Sequence, residues 1–201
     1  MLQNVQRRRP INLFDLISQK LNDEDTSSEL AKSVGTTPDK VQKVTQLGLP
    51  TLLQGLTRNA STQEGAESLN RALDQHKDEN VDDVKSYLSN ADRSGGQKIL
   101  SHIFPENEER VEKNLATQTG LKKNQVSGIL SQIAPLLLAA LGNEKTKSNV
   151  DSSGIAGFLS NIASSSSNSG MMGKAADLLD KDRDGSFLDD AGSFFGKFFK
   201  K

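Results

Sequence analysis

Apolar residues along this chain recur three and four positions apart, the spacing that puts them on one face of an α-helix. Val41, Val44, Gly48, Leu49, Leu52, Leu53 and Leu56 form one such stripe. Val126, Ile129, Ile133, Leu137, Ala140 and Leu141 form a second. Both predict long helices with one buried face. The first should open at Thr37-Pro38, with Thr37 as cap and Pro38 in the first turn, where its missing N–H costs nothing. Gly35 suits the left-handed exit of the helix before it. Pro50 and Pro135 fall well inside the two stripes, and each is expected to kink or split its helix.

Shorter elements fill the rest. Leu13 to Leu21 reads as an amphipathic helix and Asn22 to Ser28 as an acidic turn. Glu67 to His76 and Val81 to Asn90 read as two short helices. Ser94-Gly95-Gly96 restarts the chain ahead of a stripe of Ile99, Leu100, Ile103 and Phe104 that ends at Pro105. Gly142 to Ser153 is polar, and Ile155, Phe158, Leu159 and Ile162 predict one more helix. No stretch sustains the two-residue alternation of a strand, so the fold class is all-α.

The two stripes are related. Leu30-Ala31-Lys32-Ser33-Val34-Gly35 returns as Leu115-Ala116-Thr117-Gln118-Thr119-Gly120, 85 residues later and without a gap. At the same offset Pro50 meets Pro135, and Leu52, Leu53 and Leu56 meet Leu137, Leu138 and Leu141. This predicts duplicated helix-turn-helix-like units packed as one body, residues 11–90 and 91–163. A Ser-rich linker, 164–170, and a C-terminal element, 171–201, follow.

Composition narrows the function. The 201 residues include no Cys, which excludes a disulfide scaffold, a thiol nucleophile and any Cys-ligated metal. Net charge is −1, too little cationic excess for a generic polyanion binder. The N-terminal arginines Arg7, Arg8 and Arg9 precede no apolar run of the kind a secretory signal needs, and the expected location is cytoplasmic.

The strongest chemical motif is Asp180-Lys181-Asp182-Arg183-Asp184-Gly185-Ser186. Carboxylates at alternate positions followed by Gly match the first half of an EF-hand-type loop, whose cation takes six to eight oxygens. Asp180, Asp182, Asp184 and Asp190 are the candidate side-chain ligands of a Ca²⁺ ion, and Ser186 would offer its backbone carbonyl. Ala191 stands where such a loop has its bidentate Glu, so the match is incomplete. The competing reading is an acidic turn.

Phe194, Phe195, Phe198 and Phe199 form an aromatic stripe among Lys197, Lys200 and Lys201. It either packs back on the helical body or meets a membrane surface or a partner groove. The helix-turn-helix spacing also admits a DNA-binding reading through Lys40, Lys43, Lys122, Lys123 and Asn124, which the charge balance disfavours. His76 reads as solvated and His102 as a packed or capping residue. No nucleophile–base set, zinc spacing or phosphate loop appears, so enzymatic activity has no positive support.

Gly96 through Phe104, Leu115 through Gly120 and Ile133-Ala134-Pro135-Leu136 through Leu141-Gly142 resemble the YidB-like bacterial family of unknown function. The aspartate loop ending in Asp189-Asp190 resembles that family's C-terminal signature, where the late aspartates also stand adjacent. Pro105 departs from the family's Gly after the His-Ile-Phe run. The resemblance implies an all-α, homeodomain-like fold and brings no established activity. The expectation is a non-enzymatic interaction or scaffold protein with an unidentified protein partner and a Ca²⁺-binding tail. Nucleic acid and a membrane surface are the alternative partners.

Overall fold

A computed structural model describes residues 13–165, together with Gly173 and Ala175. The described residues are all-helical and contain no strand. In order, the helices are α1 (Leu13–Leu21), α2 (Glu24–Val34), α3 (Pro38–Asn59), α4 (Gln63–His76), α5 (Val84–Ser89), α6 (Arg93–Ile103), α7 (Glu108–Thr119), α8 (Lys123–Lys147) and α9 (Ile155–Ser165).

The apolar periodicity produces this directly. Every residue of both long stripes is buried, so α3 and α8 form the centre. The core around them is aliphatic, with Leu21, Leu49, Leu53, Leu73, Leu100, Leu115 and Ile133 among its fully enclosed side chains. Helix α8 is long and apolar enough to cross a membrane, but 83% of that stretch is buried by other helices, the pattern of a core helix.

Helix ends depart from the sequence expectations for identifiable reasons. Asn22 to Ser28 is not a turn: Asp23 caps α2, its Oδ1 accepting from Asp25 N at 3.1 Å, and Glu24 and Asp25 sit in the first turn. Acidic side chains there favour the helix dipole, so acidity marked a start and not a break. Thr62 likewise starts α4 four residues earlier than Glu67, its Oγ1 accepting from Gly65 N at 3.1 Å. Asp83 starts α5 at Val84. Asp92 starts α6 at Arg93, which places Gly95 and Gly96 inside a helix. Residues 142–147 extend α8, and Ser164 and Ser165 extend α9. Thr37 precedes Pro38 as expected, but its side chain makes no capping bond.

Both internal prolines are accommodated within continuous helices. Pro135 cannot donate to the Ser131 carbonyl one turn back. That carbonyl faces α6 at Gly96, where a β-carbon would come within 1.7 Å of it. The acceptor that Pro135 leaves unserved thus lies against the backbone of α6.

The packing is reciprocal. Helices α2 and α7 each pack on both α3 and α8. Helix α4, which follows α3, packs mainly on α8, whereas α9, which follows α8, packs mainly on α3. The two turns exchange caps. Gly35 and Gly120 both take the left-handed conformation, with φ of 68° and 67°. Lys40 at the start of α3 donates to the Gly120 carbonyl at 2.9 Å, and Gln125 at the start of α8 donates to the Gly35 carbonyl at 2.8 Å. Each long helix therefore closes the end of the other pair's short helix.

Candidate functional site

The C-terminal end of α3, the outer face of α4 and the outer face of α6 enclose an open groove of about 710 Å³. That is within the range of about 300–1,000 Å³ typical of ligand clefts. Leu56, Leu69, Ile103 and Leu138 lie beneath it and are buried. The groove is fixed at one end by Asn59, whose amide donates to the carbonyls of His102 and Ile103 at 3.0 and 3.3 Å. That pair of bonds serves two of the final carbonyls of α6 and ties the ends of α3 and α6 together.

The rim is cationic. Arg58, Arg71 and Lys98 line it, with Glu64 as its carboxylate. Among the described residues no ion pair engages any of the three cations. His102 completes this end. It is exposed, not packed, and its ring Nδ1 lies 2.7 Å from the Lys98 carbonyl one turn back. A carbonyl only accepts, so Nδ1 carries the hydrogen.

A second hollow of about 540 Å³ adjoins the first and shares His76 and Ile99 with it. Its lining is acidic: Glu79, Asp83 and Asp92, with Tyr87 and Pro135. The two hollows make one furrow, basic at the α3–α4–α6 end and acidic at the α5 end.

His76 stands where they meet. It is not solvated, as the sequence suggests, but half-buried, with Nδ1 2.5 Å from Glu79 Oε1. The Tyr87 hydroxyl donates to the other carboxylate oxygen, Oε2. Burial, and then the bond and charge of Glu79, hold the Tyr87 phenol well above its ordinary pKa. Asn143 of α8 donates to the Glu79 carbonyl at 3.0 Å and anchors the segment. Asp92 is held below the usual carboxylate range, chiefly by the Ser94 hydroxyl and then by the amides of the α6 start. The Glu79 carboxylate is occupied on both oxygens, and among the described residues the second nitrogen of His76 has no partner. This arrangement fixes an imidazole and a phenol in place. Apolar floor, charged rim and oriented polar groups suit binding of an amphipathic segment.

The sequence-predicted sites fall elsewhere. Asp180, Asp182, Asp184, Ser186, Asp190, Phe194, Phe195, Phe198 and Phe199 lie outside the described residues. Within the described residues no group of His and carboxylates could hold a metal ion. Of the cations weighed for DNA, Lys40 is turned onto the Gly120 carbonyl and Lys123 onto Glu109 at 3.0 Å, whereas Lys43, Lys122 and Asn124 are exposed. Sequence reasoning missed Arg58, Arg71 and Lys98. Only the i, i+4 spacing of Lys98 and His102 hinted at a charged face; the arginines join them through the fold alone.

A family model described as a bacterial protein of unknown function (DUF937) matches residues 15–144, and the chain belongs to that family. No curated protein and no solved structure gives a significant match.

Proposed function

We propose that this member of a bacterial family of unknown function is a non-enzymatic, cytoplasmic interaction protein whose α4–α6 groove receives an acidic, amphipathic peptide segment. The observation that carries this reading is the set of three cations, Arg58, Arg71 and Lys98, that no ion pair engages among the described residues, around a buried aliphatic floor. An extended or helical segment with alternate carboxylates and leucines matches both features. Arg71 and Lys98 are exposed and Arg58 is half-buried, so such a rim contributes specificity and encounter rate more than raw affinity.

The helical body in this reading consists of two copies of one helix pair. Its support is the constant offset of 85 that relates Gly35 to Gly120, Lys40 to Gln125 and Pro50 to Pro135, and the cap exchange those positions take part in. The C-terminal aspartates would hold Ca²⁺ through Asp180, Asp182, Asp184 and Asp190, on the strength of their spacing.

The test is a titration of the full chain carrying Asp180→Asn, Asp182→Asn and Asp184→Asn, so that its own carboxylates do not compete, with a synthetic Leu/Glu peptide and its Leu/Lys counterpart, read on the ring signals of His76 and His102. The chain has only these two histidines, so the assignment is simple. The Glu peptide should shift His102 saturably and the Lys peptide should not. Arg71→Glu with Lys98→Glu should weaken binding about tenfold, equivalent to about 1.4 kcal/mol. Equal binding of both peptides, or of neither, refutes the reading.

A further inference from the structure

We infer that the furrow is occupied by the chain's own C-terminal segment, with residues 177–190 at its basic end and residues 194–201 at its acidic end. This rests on the groove reading above and names the occupant.

The charge pattern carries the assignment. Residues 177–190 hold six aspartates against Lys181 and Arg183, with apolar pairs at Leu178-Leu179 and Phe187-Leu188. Those are the components the basic end lacks: carboxylates for Arg58, Arg71 and Lys98, and aliphatic side chains for the floor of Leu56, Leu69 and Ile103. Residues 194–201 hold four Phe and three Lys and no carboxylate side chain. That composition is repelled by the cationic rim and attracted to the other hollow, which Glu79, Asp83 and Asp92 make acidic. The two hollows are continuous through His76 and Ile99, and the two halves of the segment are consecutive in sequence. Two oppositely charged blocks meet two oppositely charged hollows, so complementarity fixes direction as well as site.

Reach is sufficient. Ala175 is fully buried, so the chain is held against the body at that point. From there to Asp184 is about 30 Å of extended chain and to Lys201 about 85 Å. A body of this size is about 40 Å across. Because the segment is tethered, its effective concentration is of millimolar order, and weak rim contacts suffice to hold it. The same aspartates are the candidate Ca²⁺ ligands, and a carboxylate coordinating the ion is withdrawn from the arginines. Docking and ion binding therefore oppose one another.

The absence of native Cys allows a single nitroxide label on the full chain. A label on Ser186→Cys should broaden the His102 ring signal more strongly than that of Tyr87, the chain's one tyrosine. A label on Lys201→Cys should do the opposite. Arg71→Glu with Lys98→Glu should restore His102, and further reversal of Asp180, Asp182 and Asp184 to Lys should broaden it again. Both rim residues are exposed, so the reversals leave the core intact. No broadening from either label overturns the inference, and exchanged patterns overturn its direction. Broadening in a mixture of labelled chain with isotope-labelled, nitroxide-free chain places the segment on a second copy and overturns the intramolecular assignment. If the labels show nothing while the Glu peptide still shifts His102, the groove stands and only its proposed occupant falls.

Discussion

Replacing Gly96 with Ala tests a close backbone approach between α6 and α8. The added β-carbon would lie 1.7 Å from the Ser131 carbonyl oxygen, 2.7 Å from its carbon and 3.1 Å from its Cα. All three are backbone atoms of α8, so no rotamer change relieves the contact. Helix α6 must move outward by about 1.5 Å to restore ordinary carbon–oxygen separation. That shift loosens Leu100 and Ile103, which are nearly inaccessible in the present packing. Overpacking of this kind costs about 1–3 kcal/mol or more, against about 1 kcal/mol gained because Ala is the better helix former. With the loosened leucine and isoleucine contacts added, we expect a net loss of about 3 kcal/mol, or roughly 6–12 °C in Tm for a domain of this size. Gly157→Ala is the matched control. It lies inside α9 with nothing within 4 Å of the new atom, and should stabilise by up to about 1 kcal/mol. Urea unfolding followed by far-ultraviolet circular dichroism gives both values. Two substitutions of the same chemistry should thus have opposite signs. A neutral or stabilising Gly96→Ala would refute the close contact of α6 with α8, and with it the position of the groove wall that carries Lys98 and His102.

Burial raises the pKa of Glu112, whose Oε1 has no hydrogen-bond partner among the described residues and whose residue is 6% exposed. A raised carboxyl pKa favours the folded state at low pH and loses that contribution as pH rises through the folded value, so Glu112→Gln should be more stable than wild type at pH 7, by about 1 kcal/mol. Thermal melts at pH 4 and pH 7 should show the gain shrinking in acid, and a variant destabilised at neutral pH would contradict the assignment. Lys145 is buried and pairs with Asp74 at 2.6 Å. Asp74→Asn should cost about 1–2 kcal/mol by leaving a buried ammonium without its counter-charge, and Lys145→Met should cost less; equal losses would argue against that cause. Calorimetric Ca²⁺ titration of the full chain should give saturable binding that Asp182→Ala with Asp184→Ala abolishes, and identical isotherms would reduce the aspartate loop to an acidic turn.

The buried face of each long helix was legible because a 3.6-residue period survives any tertiary arrangement: every residue of the two stripes is enclosed. The left-handed exits were legible for a similar reason, since glycine at 35 and 120 answers a purely local demand. Helix starts were misjudged where one residue type has two meanings. Asp23 and Asp92 are polar like turn residues, but each caps a helix. Gly95-Gly96 reads as a break because glycine weakens helices, and its packing reason, Ser131 of α8, is 35 positions away. The groove was not legible at all. Arg58, Arg71 and Lys98 belong to three helices, and no local pattern links them.

The interlocked packing decides where a binding surface can form. Helices α3 and α8 are covered by elements from both ends of the chain, so their turns are spent on one another. The starts of α3 and α8, where a recognition helix would meet DNA, are held there by Lys40 and Gln125. Among the described residues, the stretch between α4 and α6, which includes α5, lies outside this exchange. Among the described residues the covering there is incomplete: α4 and α6 flank a floor of leucines and isoleucine that no third helix closes, and α5 leaves the second hollow open beside Tyr87. The cations and carboxylates of this protein divide across that surface, basic on the α4–α6 side and acidic on the α5 side. An occupant must therefore carry both signs in the opposite order, with apolar side chains between them, as residues 177–201 do.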